Sequence, residues 1–399
     1  MAVIKKIIDY CTGCSACSIV CPRQAISMGR NEKGFLVPII SYEKCINCGM
    51  CEKVCHQKNT VSSFVTTQMV LAAKNKSDEE RLKSSSGGVF LLIAKLILEE
   101  KGVVYASAFD NCNVVKYIRA TSIEDVLTCC QSKYVQSDIG DSIHLVIQDI
   151  KDGKKVLFVG TPCQISAIRN SLDILNVRDD NLLLIDFVCH GTPSPRVFHD
   201  YLSMIEEKYN GRVKHFYFRD KEQGWRGNGY KAEFFNRKTV VNGYYLRGYN
   251  KLFPLSTNEA CFHCLYSRPE RISDITLGDF WGIESTAIAS FEDKLGVSML
   301  LVNTEKGNRW ITRVKEKMIY RSVNIESCKK NTPLFHQLSQ SDLYEEFWRS
   351  YIKDGYKTTF DKFCKFIGIR GFFELLKWFI MYKLNFKDYI IMFVNMIKK

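Results

Sequence analysis

Apolar positions along the chain follow different rhythms in different segments. From Val70 to about residue 325, short continuous apolar runs alternate with segments of helical period. The runs are Val103-Val-Tyr-Ala-Ser, Lys155-Val-Leu-Phe-Val159 and Leu182-Leu-Leu-Ile-Asp-Phe-Val188; the helical segments cover 88–100 and 164–172. Runs of this length predict strands buried on both faces, and their alternation with helices predicts an α/β body with at least partly parallel pairing. His215-Phe-Tyr-Phe, Tyr230-Lys-Ala-Glu-Phe and Ser298-Met-Leu-Leu-Val are shorter and predict a second, antiparallel sheet. The first 60 residues form a separate unit. In it a polar turn at Asn31-Glu-Lys-Gly34 joins Ala25-Ile-Ser-Met to Phe35-Leu-Val-Pro-Ile-Ile40 as a short hairpin. Residues 60–70 are polar and β-branched and predict a linker, and from about 335 onward the chain reads as helical, aromatic and basic. The division is 1–60, 70–150, 151–325 and 335–399, mixed α/β with a helical tail.

Cysteine changes this picture most. The chain has 17, eight of them between positions 11 and 55. An odd total in a chain with ordinary globular composition argues against a disulfide scaffold and for reduced thiolates held for metal. Cys11-x2-Cys14-x2-Cys17-x3-Cys21-Pro22 is followed by Cys45-x2-Cys48-x2-Cys51-x3-Cys55. This is the doubled bacterial ferredoxin run, in which three closely spaced thiolates grip one 4Fe–4S cube and the fourth crosses to the other. The expected sets are Cys11, Cys14, Cys17 and Cys55 for one cluster, and Cys45, Cys48, Cys51 and Cys21 for the second. His56 stands where the first run has Pro22. Structural zinc in two four-thiolate sites is the competing reading.

Four of the other cysteines have suggestive settings. Cys163, in Gly160-Thr-Pro-Cys-Gln164, follows one predicted strand and opens a helix; Cys189, in Cys189-His-Gly191, lies at the carboxyl end of another. Ligands gather outside the carboxyl ends of strands in open α/β sheets, and Cys261-Phe-His-Cys264 supplies a paired chelate. Taken alone, these residues leave a third four-thiolate site and ordinary buried cysteines both open. Ser84-Ser-Ser-Gly-Gly88 opens the helix 88–100. Free amides there suit an anion such as a flavin or nucleotide pyrophosphate, and a simple N-cap is the alternative. No G-x-G-x-x-G or P-loop run occurs, so a Rossmann dinucleotide site or an ATPase is unsupported.

Ser85-Ser-Gly-Gly-Val-Phe, Ser132-Lys-Tyr134, Gly160-Thr-Pro-Cys-Gln164, Cys189-His-Gly, Cys261-x2-Cys264 and Ser273-Asp-Ile-Thr-Leu-Gly-Asp-Phe-Trp-Gly282 occur in this order. The set resembles the coenzyme F420 hydrogenase/dehydrogenase beta subunit family over about residues 1–325, its N-terminal-like region at 70–150 and its C-terminal-like region at 151–325. The resemblance implies an oxidoreductase that binds FAD and a body 4Fe–4S cluster, three clusters in all with the amino-terminal module. It implies Cys163, Cys189, Cys261 and Cys264 as the body ligands, and Ser86, Gly87 and Gly88, with Ser85, at the FAD phosphates. Lys133 would stand near the flavin, where a fixed cation stabilises the anionic reduced ring. Tyr134, Thr161, Gln164 and Asp279 are further cofactor contacts, and His190 a candidate for proton delivery.

Net charge is +13, with eleven Lys or Arg against four Asp or Glu from Arg349 to Lys399. Such a surface favours an acidic electron carrier, a phosphorylated partner or an anionic membrane. Phe372-Phe-Glu-Leu-Leu-Lys-Trp-Phe-Ile-Met-Tyr382 and Tyr389-Ile-Ile-Met-Phe-Val394 are too short and interrupted to span a bilayer. Packing on its own domain or on a partner subunit, or lying on a membrane surface, are the expectations for this tail. Its lysines alternate with large apolar blocks rather than along a face, so nucleic acid is not an expected partner. The sequence opens Met1-Ala-Val-Ile-Lys-Lys with no apolar core for a signal peptide, so the expected location is cytoplasmic, with membrane association through the tail. The rival to an enzyme is a non-catalytic electron-transfer subunit docked on another protein.

Overall fold

The computed structural model describes residues 10–58, 64–222, 224–227 and 229–364. The amino-terminal unit holds the hairpin β1 (Ile26–Arg30) and β2 (Leu36–Ile40), paired antiparallel, between the short helices Ala16–Ile19 and Met50–Val54. The body follows with β3 (Met69–Asn75), β4 (Val103–Phe109), β5 (Val115–Ala120), β6 (Val156–Gly160) and β7 (Leu182–Phe187). Next come β8 (Val213–Asp220), β9 (Gly229–Phe234) and β10 (Thr239–Val241), which make a separate antiparallel sheet in the order β10-β9-β8. Then β11 (Ile275–Asp279), β12 (Ser298–Val302) and β13 (Met318–Val323) return to complete an eight-stranded sheet, β13-β3-β12-β11-β7-β6-β4-β5. Its middle, β11-β7-β6-β4, is parallel; the flanking pairs are antiparallel.

The mixed α/β body with a ferredoxin-type unit in front matches the reading from sequence, with one correction. Ser298–Val302 does not join the second sheet: β12 sits between β11 and β3 in the large one. All five of its residues are buried, because both faces of that sheet are covered and an apolar run without polar alternation is what such a position selects.

One face carries the helices Val89–Glu99 and Glu305–Val314 over Val104, Leu157, Leu183 and Leu300. The opposite face carries Ser142–Lys151 and Pro162–Ile174. Ala16, Ile19, Val20 and Val54 of the amino-terminal unit join that second core, alongside Phe158, Ile165 and Ile168. The unit is therefore fastened to the body rather than strung from it. Even the predicted linker takes part, since Val65 exchanges backbone hydrogen bonds with Arg271 and Thr67 donates to Asn303.

The second sheet packs against Pro195–Tyr209 and the helix Tyr344–Phe363 through Phe198, Tyr201, Phe216, Phe218, Phe347 and Trp348. That last helix breaks at Gly355 (φ 79°, ψ 171°). Its first turns belong to the body, so the aromatic character from 335 onward is partly core. The apolar runs 372–382 and 389–394 lie outside the described residues. Among the described residues no helix is long and apolar enough to cross a membrane.

Candidate functional site

The cysteine loops of the amino-terminal unit are bent by left-handed backbone at Gly13 (φ 71°), Ser15 (φ 63°), Asn47 (φ 55°) and Gly49 (φ 75°). Each short helix starts immediately after such a residue, which turns successive sulfurs inward. A cavity of about 460 Å³ is lined by Cys11, Cys14, Cys17, Cys51 and Cys55. A second, of about 610 Å³, is lined by Cys21, Cys45, Cys48 and Cys51. The fourth cysteine of each run is thus carried to the other run's loop.

Burial pushes the Cys11 thiol up to about 12 and the Cys14 thiol up to about 11, and neighbouring sulfurs push in the same direction. Such sulfurs become thiolates when a cationic core takes the place of solvent. The cysteines surround spaces that a four-iron cube would occupy.

In the body, Thr161 and Pro162 start the helix Pro162–Ile174. Gln164 Oε1 accepts from the Thr161 backbone N–H at 2.9 Å, from its hydroxyl at 2.9 Å and from Tyr117 at 2.8 Å. Thr161 and Gln164 therefore serve the helix start, and in doing so fix Cys163, whose sulfur lies 3.1 Å from Thr161 Oγ1. Cys189 follows the end of β7. Cys261 lies in the 3₁₀ turn Glu259–His263, 3.6 Å from Thr192 Oγ1. Cys163, Cys189, Cys261 and Cys264 line one cavity of about 660 Å³. Burial raises the Cys163, Cys189 and Cys261 thiols, Cys261 to about 11, and neighbouring sulfurs disfavour one another's charged forms.

The body holds the module by specific bonds. Gln136 accepts from Leu36 N–H (3.0 Å) and donates to Thr12 O (3.1 Å); Asn258 donates to Cys11 O (3.2 Å) and Asn170 to Val54 O (2.9 Å).

The residues expected at a flavin are placed less simply. Lys133 Nζ donates to the carbonyls of Cys129 (3.1 Å), Cys130 (2.9 Å) and Gln131 (3.2 Å), closing the end of the helix Ile123–Cys129, and burial pulls its pKa down to about 8. Ser85 Oγ accepts from Ser132 N–H at 2.7 Å. Ser86 Oγ donates to Val297 O (2.8 Å) and Gly87 N–H to Ser298 Oγ (2.9 Å). Gly88, at φ 83°, caps the helix Val89–Glu99. Lys221 Nζ fastens this turn through Ser86 O (2.6 Å), Arg81 O (2.7 Å) and Leu295 O (2.7 Å). The Ser86 hydroxyl and the Gly87 N–H are thus engaged by the protein.

A Cβ at Gly87 would meet Ala73 O at 2.3 Å and Ser298 N at 2.6 Å. Gly87→Ala should therefore cost about 1–3 kcal/mol, the usual range for overpacking. Chemical denaturation of the two proteins checks it.

Tyr134, His190 and Asp279 do gather, around a residue that sequence reasoning missed. Arg219 is 5% exposed and donates to Asp279 (2.6 Å), Tyr134 OH (3.2 Å) and Trp225 O (3.0 Å). Its guanidinium lies 5.2 Å from the ring centroid of Trp281, which stacks on Trp225. His190 stands at the exposed rim of this group; desolvation by its neighbours lowers its pKa while Asp279 opposes the fall. The available signal was Phe218-Arg219-Asp220-Lys221, two cations ending an aromatic strand.

Comparison with known proteins identifies two domains in the chain. Residues 153–327 match the family described as the C terminus of the coenzyme F420 hydrogenase/dehydrogenase beta subunit, and residues 10–59 match the 4Fe-4S dicluster domain. The chain is 23% identical over 349 residues to the coenzyme F420-dependent sulfite reductase of Methanocaldococcus jannaschii, covering 82% of this chain and 49% of that protein. It is 23% identical over 193 residues to the F subunit of the F420H2 dehydrogenase of Methanosarcina mazei (45% and 53%), and 25% identical over 273 residues to the beta subunit of the coenzyme F420 hydrogenase of Methanococcus voltae (66% and 87%). The chain thus spans about half the length of the first two relatives. A chain of the F420-reducing NiFe hydrogenase complex from Methanosarcina barkeri, solved as a xenon derivative, is similar at TM-score 0.46 and 17% identity, over 75% of this chain and 92% of that one. By its sequence matches, the chain carries the C-terminal domain of the beta subunits of the coenzyme F420 hydrogenase/dehydrogenase family behind a 4Fe-4S dicluster domain.

Proposed function

We propose that the chain is an iron–sulfur flavoprotein oxidoreductase that moves electrons between three 4Fe–4S clusters and FAD, with F420 or another two-electron metabolite reacting at the flavin. The observation that carries this reading is that three cavities are each lined by at least four cysteines, two in the module, which share Cys51, and one in the body. When bound, the cubes supply one-electron carriage, and flavin exchanges both single electrons and hydride.

The chain's own part is to hold and shield. Cys11, Cys14, Cys17 and Cys55 would grip one cube, Cys21, Cys45, Cys48 and Cys51 another, and Cys163, Cys189, Cys261 and Cys264 the third. FAD is proposed on chemical grounds, because a one-electron wire and a hydride carrier need a converter between them. Tyr134, His190 and Asp279, gathered around Arg219, are the residues assigned to it. The Ser86 hydroxyl and the Gly87 N–H are engaged by Val297 and Ser298, so a phosphate contact at this turn would use the remaining backbone amides. Relatives named as subunits support docking on a larger assembly, and the basic surface supports an acidic carrier.

Anaerobically prepared protein should hold about twelve irons, four per cube, and one flavin per chain. Titration with reduced F420 or a low-potential dye should bleach both chromophores. Zinc in place of iron, or colourless protein that no such reagent alters, would overturn the reading.

A further inference from the structure

Thr12, His56 and Gln57 line both the cavity of Cys11, Cys14, Cys17 and Cys55 and the cavity of Cys163, Cys189, Cys261 and Cys264. They form the wall between two of the three cysteine sites. His56 is 1% exposed; its Nε2 lies 3.0 Å from Thr12 Oγ1, and its Nδ1 is buried without a hydrogen-bond partner. Tyr266, 3% exposed, packs against that imidazole at 5.6 Å between ring centroids. Its hydroxyl is within electrostatic reach of Cys14 on the module side and of Cys163 and Cys264 on the body side.

The Tyr266 and Ser166 hydroxyls are neighbours but make no hydrogen bond of ordinary geometry, and Ser15 Oγ, next to Cys14, has no partner either. Eight buried side-chain polar atoms lack a partner among the described residues, and four of them, on Ser15, His56, Ser166 and Tyr266, lie along this one seam. A buried donor left unsatisfied costs about 1–3 kcal/mol, and native interiors keep few of them. Their concentration between two sulfur-lined cavities points to acceptors that belong in those cavities.

We infer that His56 and Tyr266 are the link between the module's inner cysteine site and the body site, with His56 Nδ1–H and Tyr266 O–H donating to the sulfur seated on either side. The inference rests on the three-cluster reading above. In the step they serve, one electron leaves one site and arrives at the other, so one is oxidised and the other reduced by one electron. Both side chains keep their protons and end as they began. Hydrogen bonds to sulfur favour the more negative, reduced state and so raise the potential. The two rings also keep water out of the gap. This gives a reason for the one break in the doubled motif, where the second run has His56 at the place of Pro22.

The test uses the full chain loaded anaerobically with iron and sulfide, comparing wild type, His56→Leu, His56→Asn and Tyr266→Phe by iron content and by redox titration followed by electron paramagnetic resonance. His56→Leu and Tyr266→Phe should keep the wild-type iron content. The reduced fraction of a cluster flanking the seam should fall about tenfold at a fixed potential, which is 59 mV for a one-electron couple. His56→Asn keeps an N–H near the position of Nδ1 and should recover most of the loss. Full iron with wild-type potentials in His56→Leu and Tyr266→Phe would overturn the link. If His56→Leu loses iron, Tyr266→Phe, which removes a single oxygen, decides alone. Wild-type protein lacking the third cluster would sink the three-cluster reading and the link with it, an outcome distinct from unchanged potentials.

Discussion

Cys163→Ala, prepared anaerobically, should hold about eight of the twelve irons expected per chain, with the spectrum of the amino-terminal module unchanged. The argument is one of separation. The eight module cysteines all lie between positions 11 and 55, and the cavities that place four of them around each module site exclude Cys163. The helix start at 162 survives the substitution, because Thr161, Pro162 and Gln164 do the capping and Cys163 does none of it. The loss should therefore be confined to the body site. Iron analysis and visible absorbance check it, and undiminished iron would show that the four body cysteines hold no cluster.

Arg271→Met should destabilise the protein by about 3–5 kcal/mol, the cost of breaking a buried ion pair by removing one partner. Arg271 is 2% exposed and Asp186, on the central strand β7, is 0% exposed; they meet at 2.8 Å. Thr276 also donates to Asp186, and the guanidinium reaches the carbonyls of Tyr266 (2.9 Å) and Arg268 (3.1 Å). Without it the Asp186 carboxylate is left inside the sheet with no counter-charge and the loop after Cys264 loses its anchor. Against a typical total of about 5–15 kcal/mol this is a large fraction. Equilibrium denaturation of the apo-protein measures it, and the double variant Asp186→Leu/Arg271→Met should recover most of the loss.

The parts legible in the sequence are those whose chemistry is local. Two-residue gaps between cysteines already describe a chelating loop. The runs at 103, 155 and 182 read as buried strands because nothing in them would tolerate water. What stayed hidden depends on partners far along the chain. β12 was misplaced because its sheet is chosen by β3, more than two hundred residues earlier. At the Ser85–Gly88 turn the bonds of Ser86 Oγ and Gly87 N–H to Val297 and Ser298 are visible only in three dimensions. So are the bonds of the Lys133 ammonium to three carbonyls within four residues of itself. His56 carried a visible signal, a histidine at a proline's place, but its meaning depends on Tyr266 and a cavity built from residues 163 to 264.

The module and the body share one interior, with Val54 and Ile19 seated in the same cluster as Ile165 and Phe158. The distances between sulfur sites are therefore settled once, when the chain folds. On the proposed reading no tethered arm would swing between them and no diffusional search would intervene, so the handover would carry no waiting time set by solvent viscosity and its pace would be a constant of the architecture.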